Sequence, residues 1–193
     1  TTASISAADV LTVDETNLMT NITANFADNF AAAINYGADG AGTVTYSLSL
    51  TGSNVPSGLY AVDPTDTSVV DGDGYGKGTE ILLNQSGNVI TGSVGATTYF
   101  TITLNPVNGD ITLDQVKNIW HSNTANPDDT STLNTSAAEL IKVNALVTDA
   151  DGDTTSASIN LGQGVFSMKD DGPSITTASI SAADVLTVDE TNL

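Results

Sequence analysis

Residues 139–161 read ELIKVNALVTDADGDTTSASINL and give the clearest indication of the fold class. Apolar and polar side chains alternate on both sides of a short acidic segment at 149–153. A period of two is typical of strands with one buried face. The stretch therefore predicts two strands joined by a tight turn. Their buried faces are expected to carry Ile141, Val143, Ala145 and Val147 in the first strand, and Ala157, Ile159 and Leu161 in the second.

The same alternation recurs at 43–50 (TVTYSLSL) and at 98–104 (TYFTITL). Shorter candidate strands lie near 57–62, 80–84, 87–92, 110–113 and 164–168, with Gly, Asn, Asp and Pro between them. Only 26–36 and 114–120 carry patterns that predict short helices. Many short strands with regular turn signals predict an all-β fold, an elaborated immunoglobulin-like β-sandwich. We expect the additional strands between residues 50 and 95.

A repeat defines the domain organisation. Residues 1–18 read TTASISAADVLTVDETNL, and residues 176–193 are identical to them at all 18 positions. This identity predicts a tandem array, with 1–175 as one full sandwich unit with its entry linker and 176–193 as the start of the next repeat. A segment duplicated by design is the alternative. We expect 176–193 to continue as an extended linker, or to dock on a neighbouring molecule in place of that molecule's own first segment.

Charge and composition limit the function. The chain has 23 Asp and Glu against 4 Lys and Arg, which gives a formal net charge of −19. This balance argues against binding to nucleic acid or anionic lipid, since both need a basic surface. The chain has no cysteine, which excludes disulfides and zinc–thiolate sites. No apolar run is long enough to predict a membrane span. The partner that such a chain favours is a cation, and Ca²⁺ is a hard cation bound by carboxylates.

Asp149, Asp151 and Asp153 form the principal candidate metal site. Alternate carboxylates in a tight turn can converge on one ion, and without a cation they repel one another. An EF-hand is excluded because its sixth and twelfth positions are Thr154 and Asn160. The alternative is a solvated acidic turn.

Further candidate calcium ligands lie in three other acidic segments: Asp170 and Asp171 after the last strand, Asp14 and Glu15 with their copies Asp189 and Glu190, and Asp71 and Asp73 in a Gly-rich stretch. The alternatives are a linker turn, a strand end facing water, and carboxylates neutralised by Lys77. The topology of an immunoglobulin-like sandwich predicts that Asp149–Asp153 and the Asp14–Glu15 pair share the entry pole, with Asp170 and Asp171 at the opposite exit pole. Calcium shared between two repeats would then stiffen the joint.

Motifs for catalysis are missing from the sequence. His121 is the only histidine and lies beside Trp120, with no pattern that predicts a catalytic base. There is no G-x-S-x-G or H-E-x-x-H motif, and the Gly-rich segment 37–42 precedes a strand rather than a helix. The sequence predicts a protein without enzymatic activity.

Three segments resemble a known family. VTDADGDTTSASINL (147–161), FSMKDDGPSI (166–175) and LTVDETNL (11–18) resemble the repeat domains of giant repeats-in-toxin (RTX) adhesins, which bacteria secrete through type I systems. The resemblance implies a calcium-binding immunoglobulin-like sandwich that holds a ligand-binding tip away from the bacterial cell surface for adhesion and biofilm formation. It also implies calcium roles for Asp149, Asp151, Asp153, Asp170, Asp171 and the Asp14–Glu15 pair.

We therefore expect an extracellular structural extender, a spacer made rigid by Ca²⁺, whose partners are the neighbouring repeats of its own chain. Each unit is expected to be monomeric within the array, with no nucleic-acid partner and no direct membrane insertion. The alternative is a ligand-binding module, for instance one that grips carbohydrate through calcium. Aromatic residues make up 5% of the chain, and several fall on predicted core faces, which favours the spacer.

Overall fold

The computed structural model describes residues 9–68, 74–176, 179 and 183. Regular structure in these residues consists of strands, short 3-10 turns and one short helix, α1 (Asp28–Ala31). The strands are β1 (Leu11–Asp14), β2 (Ile22–Asn25), β3 (Thr43–Leu50), β4 (Val55–Val62), β5 (Lys77–Ser86), β6 (Val89–Val94), β7 (Thr97–Leu104), β8 (Asp110–Gln115), β9 (Thr130–Asn134), β10 (Ile141–Thr148), β11 (Thr154–Asn160) and β12 (Gln163–Lys169).

The strands form three sheets. Two sheets have three strands each, in the orders β1-β12-β9 and β11-β10-β3. The third has six strands in the order β2-β8-β7-β6-β5-β4, and all its neighbours are antiparallel. The inward faces of all three sheets contribute to one hydrophobic core. The prediction of an all-β sandwich is confirmed.

Strand β10 lies between β11 and β3 and is antiparallel to both. Its four predicted core residues, Ile141 to Val147 at every second position, are all buried. Strand β11 keeps only part of its predicted face. Ile159 is buried, but Ala157 is exposed, because β11 is an edge strand and its first residues have no covering layer.

Strand β1 pairs with β12 in parallel, and Asp14 lies opposite Lys169 in the register. Strand β9 runs antiparallel to β12 on the other side, with Thr130 opposite Lys169. The ends of β1 and β12 and the beginning of β9 therefore meet at one edge of this sheet. This arrangement positions one of the two acidic clusters described below.

The expected additional strands between residues 50 and 95 are present as β4, β5 and β6. Their hairpin also covers the outer edge of β3. Asn88 accepts a hydrogen bond from the backbone N–H of Leu48 at 3.0 Å, and the side-chain N–H of Gln85 donates to the carbonyl of Leu48 at 2.7 Å. Side-chain amides thus take the place of a neighbouring strand on this edge.

The core is built from aliphatic side chains and a few phenylalanines. Phe26, Phe30, Phe100 and Phe166 are all at most 1% exposed. Fully burying a side chain of this kind contributes roughly 1.5–3 kcal/mol each. Since the core draws on residues from β1 to β12, these strands belong to one packed unit.

The two helix predictions fare differently. In 26–36 only Asp28–Ala31 is helical, and Phe26 and Phe30 face the core as the pattern suggested. The prediction of a helix over 114–120 is wrong. Asp114 and Gln115 complete β8 because they continue the ladder with β7, and Ile119 forms an isolated bridge with Ala61.

Candidate metal centres

The first cluster, which we call the turn cluster, comprises Asp39, Asp149 and Asp151. The backbone around Asp149 creates it. Oδ1 of Asp149 accepts hydrogen bonds from the N–H groups of Gly152 and Asp153 at 3.0 and 2.8 Å, and its own N–H donates to the carbonyl of Asp153 at 3.0 Å. Gly152 has φ +101°, a backbone conformation that residues other than glycine rarely adopt. The DADGD segment is therefore folded tightly between β10 and β11.

The segment 37–42 brings Asp39 to this turn. The N–H of Ala150 donates to the carbonyl of Gly40 at 3.3 Å, which joins the two segments. Gly42 has no room for a side chain, because a Cβ there would collide with the carbonyl oxygens of Thr148 and Asp149. Carboxylate oxygens of Asp39, Asp149 and Asp151 lie within 4.8 Å of one another.

The turn cluster fits a calcium ion by its chemistry. Its three side chains offer only oxygen, the donor that Ca²⁺ prefers, and Ca²⁺–O distances of about 2.3–2.6 Å place opposite ligands about 5 Å apart. Asp39 and Asp151 are exposed, so water can complete the coordination shell. Burial opposes the ionisation of Asp149, but contacts with Asp151 and the N–H groups of the turn outweigh it and lower the pKa of Asp149. Asp149 is thus ready to receive a cation.

Asp153 contributes to this turn through its backbone and is not one of the three converging carboxylates. Asp39 was not predicted from the sequence. Its signal was the GADGAG segment, in which glycines on both sides of an aspartate permit a close approach to another chain segment. Only the structure shows that this segment contacts the DADGD turn.

The second cluster, which we call the strand-end cluster, comprises Glu15, His121 and Asp170. One ligand atom from each lies within 4.8 Å of the other two. Glu15 follows β1 and Asp170 follows β12, so the parallel pairing of these strands brings them together. His121 lies in the segment before β9, whose Asp129 accepts a hydrogen bond at its carbonyl from the N–H of Asp170 at 2.8 Å.

Glu15 is a buried carboxylate whose side chain is 1% exposed. Its Oε1 accepts hydrogen bonds from Nε2 of Gln115 at 2.6 Å and from the N–H of Ile119 at 2.9 Å. These donors are neutral, so they orient the carboxylate without cancelling its charge. Nε2 of His121 lies 3.4 Å from the same oxygen.

His121 is also buried, with 4% of its side chain exposed. Its Nδ1 lies 3.2 Å from Oγ of Ser131 and 3.7 Å from Oδ1 of Asp129. Burial lowers the pKa of His121, but the contact with Glu15 and the charges of Asp170 and Asp129 outweigh that effect and raise it. Burial has the opposite effect on a carboxyl group, and it raises the pKa of Asp170. The sequence alone does not predict His121 as a metal ligand, because no nearby residue in the chain marks it as one.

The predicted arrangement of poles is wrong. Glu15 lies beside Asp170, because β1 and β12 are parallel and end at the same edge, whereas Asp149 and Asp151 converge on Asp39. The neighbours of the strand-end cluster have separate roles. Asp14 and Asp128 contact Nζ of Lys169 at 3.6 and 2.7 Å. Asp171 is exposed and lies outside both clusters.

The remaining predicted ligands, Asp71, Asp73, Asp189 and Glu190, lie outside the described residues. Most of the second repeat copy, 176–193, does so as well, and its predicted docking stays a prediction.

Fold and clusters define the class of this protein as an acidic all-β sandwich whose carboxylates converge at two separate places within the described residues. The chain belongs to the family described as a domain of unknown function (DUF5801), whose model matches residues 10–162. No curated protein and no solved structure matches the chain. Across the part that the structure describes, no helix combines the length and apolar character that crossing a membrane requires.

Proposed function

We propose that this chain is a calcium-binding spacer repeat of a large bacterial surface adhesin, with the turn cluster as its principal calcium site. The observation that carries the proposal is the convergence of Asp39, Asp149 and Asp151 from two separate segments. In the described residues, no histidine or lysine forms an ion pair with these three carboxylates. A divalent cation between them would remove their mutual repulsion.

Calcium at the turn cluster would act on the folded state. It would join segment 37–42 to the β10–β11 turn, and both segments flank strands of the same sheet. An ion that binds only the folded chain adds stability in proportion to RT ln(1 + [Ca²⁺]/Kd). The chain would therefore be less stable at the low calcium level inside a cell than at the higher level outside it.

The spacer role rests on the repeat and on the resemblance of its sequence motifs. An array of identical domains acts through its length and the contacts between neighbours. Residues 176–193 repeat residues 1–18, so each unit would pass directly into the next. The resemblance to RTX adhesin repeats supports an extracellular location. It also supports an array of units that holds a binding tip at its far end.

Calcium titration monitored by thermal unfolding tests the calcium site. We expect the midpoint of unfolding to rise with Ca²⁺ and to fall again with EDTA, with about 2.7 kcal/mol gained at one hundred times the Kd. Asp151→Asn should remove most of this gain. The matched control is Glu139→Gln, which alters an exposed carboxylate outside both clusters and should keep the gain. A midpoint of thermal unfolding that does not change with calcium in the unaltered chain would refute the site.

A separate measurement tests the spacer role. Small-angle X-ray scattering on two tandem copies of residues 1–175 should give a longer and narrower distance distribution in Ca²⁺ than in EDTA. Identical profiles in both conditions would contradict a calcium-stiffened spacer while leaving the calcium site itself intact.

The alternative function, carbohydrate binding, would need accessible aromatic faces. Tyr60, Tyr75 and Trp120 are the best candidates, since Tyr60 and Trp120 pack edge to face and Nε1 of Trp120 donates to the carbonyl of Tyr75 at 2.7 Å. However, Nζ of Lys77 lies over the rings of both Tyr60 and Trp120, at 4.2 and 5.2 Å from their centroids. The ammonium thus occupies the position of a stacking sugar. A glycan-array screen in calcium distinguishes the two functions.

A further inference from the structure

The strand-end cluster has a donor set that differs in kind from the turn cluster. Two carboxylates, Glu15 and Asp170, converge with the single imidazole of the chain, His121. Imidazole nitrogen suits zinc and other first-row transition metals, whereas Ca²⁺ and Mg²⁺ prefer oxygen. The residue types therefore point to a different class of cation.

An independent observation is that Nε2 of His121 lacks a hydrogen bond. This nitrogen is fully enclosed and forms no hydrogen bond with any described residue. The His121 side chain is 4% exposed, and Oε1 of Glu15 lies 3.4 Å from Nε2, at ion-pair distance but outside hydrogen-bond geometry. A buried ring nitrogen without a hydrogen bond is costly unless a ligand satisfies it.

The separation of these two atoms suits a zinc ion. Two ligands that each lie about 2.0–2.1 Å from a tetrahedral zinc are about 3.4 Å from one another. That is the distance between Nε2 of His121 and Oε1 of Glu15. Asp170 supplies a third ligand atom, which lies within 4.8 Å of one ligand atom from each of the other two residues, and water can take the fourth position.

The surroundings hold the ligands as metal sites usually do. Ligating histidines commonly donate their other ring N–H to a carboxylate or another oxygen. Nδ1 of His121 faces such groups, Oγ of Ser131 at 3.2 Å and Oδ1 of Asp129 at 3.7 Å. A proton on Nδ1 leaves the lone pair on Nε2. On the other side, Gln115 and Ile119 donate to Glu15 and fix its carboxylate.

Charge and access also favour a cation. The carboxylates of Glu15, Asp129 and Asp170 surround one histidine, while the nearby Lys169 contacts Asp14 and Asp128 instead. A cleft of about 440 Å³ opens beside the cluster and is lined in part by His121 and Asp170, which provides a path for an ion.

We propose that Glu15, His121 and Asp170 form a second metal site, which binds Zn²⁺ or a similar imidazole-binding divalent ion in preference to Ca²⁺. Bound there, the ion joins the ends of the first and last strands to the segment before β9. The inference does not depend on the proposed spacer function, because it involves other residues and another metal.

Metal titration of the full chain tests this site. The protein must carry no histidine tag, since His121 is its single histidine. After removal of metal by EDTA and exchange into excess Ca²⁺, Zn²⁺ is titrated by calorimetry and Co²⁺ by visible absorption. We expect one equivalent of Zn²⁺ to bind, Co²⁺ to develop the absorption of a site with nitrogen and oxygen ligands, and the imidazole Nε2 resonance to shift on zinc binding.

Variants assign the ligands. His121→Gln and Asp170→Asn should each weaken Zn²⁺ binding at least tenfold, whereas the control Asp149→Asn in the turn cluster should leave it unchanged. Circular dichroism checks the folding of each variant. Should His121→Gln fail to fold, Asp170→Asn decides, because Asp170 is partly exposed and its backbone hydrogen bond to Asp129 is unaffected by the change. Absence of zinc binding in excess Ca²⁺, or binding that Asp170→Asn leaves unaltered, would overturn the proposal.

Discussion

The two clusters gather similar charges in opposite environments. The turn cluster lies at the surface, where Asp39 and Asp151 are exposed and water screens their repulsion. The strand-end cluster buries Glu15 and His121, so each buried polar atom there needs a partner within the protein or from a ligand. An exposed cluster can therefore tolerate the absence of its ion, whereas a buried one is coupled to the stability of the fold.

Removing a carboxylate from each cluster gives the largest contrast. We expect Glu15→Ala to lower the free energy of unfolding of the calcium-free protein by about 2–4 kcal/mol, because it leaves the N–H groups of Gln115 and Ile119 buried without an acceptor. Asp151→Ala should stay within about 0.5 kcal/mol of the unaltered chain under the same conditions. Urea unfolding in EDTA measures both changes.

Glu15→Gln is the matched control for this comparison. Its side-chain oxygen can still accept from Gln115 and Ile119, so we expect a smaller loss than with alanine. Equal losses from Glu15→Ala and Asp151→Ala would show that burial does not separate the two clusters.

Gly42 offers a way to break the turn cluster without touching a carboxylate. A methyl group in Gly42→Ala would collide with the carbonyl oxygens of Thr148 and Asp149 and push segment 37–42 away from the turn. We expect calcium affinity to fall about tenfold and stability in EDTA to fall by about 1–2 kcal/mol. Calorimetric titration compared with Asp39→Asn, which removes the charge but not the contact, separates geometry from charge. Unchanged calcium affinity in Gly42→Ala would argue against a role for Asp39.

Local patterns in the sequence were enough to predict most of the strands and two of the three carboxylates of the turn cluster. Strand β3 spans the predicted residues 43–50, and the DADGD turn lies between β10 and β11 as predicted, because alternation and turn residues act over a few neighbouring positions. The pairing of β1 with β12 depends on contacts between the two ends of the domain. No local pattern encodes it, and the opposite arrangement of poles was inferred instead.

The same distinction explains why two of the proposed ligands could not be predicted from the sequence. Asp39 and His121 each stand alone in the sequence, and each gains its meaning from a segment more than one hundred residues away, the Asp149 turn in one case and Glu15 in the other. The sequence shows which ligand atoms Asp39 and His121 carry, but it does not show which distant residues lie close to them.

The smallest expected effect is a difference in how pH acts on the two clusters in the metal-free protein. Burial opposes the charge on His121, but Glu15, Asp170 and Asp129 hold its pKa above the ordinary value of 6.5. The folded chain therefore binds more protons than the unfolded chain between 6.5 and that raised pKa. Stability from this group is complete below pH 6.5 and is lost as the pH rises through the raised value.

The turn cluster behaves in the opposite sense, since the pKa of Asp149 is lowered from 3.8 and its contribution is lost only as the pH falls below that value. Unfolding by urea in EDTA at a series of pH values should thus show a decline above pH 6.5 that His121→Gln abolishes and Asp149→Asn retains. Asp170, whose pKa is raised by burial, adds a decline that begins near pH 3.8 as it ionises and that His121→Gln leaves in place. A decline above pH 6.5 that survives in His121→Gln would place its origin in a group other than His121, and the contrast between buried and exposed charge would then need another explanation.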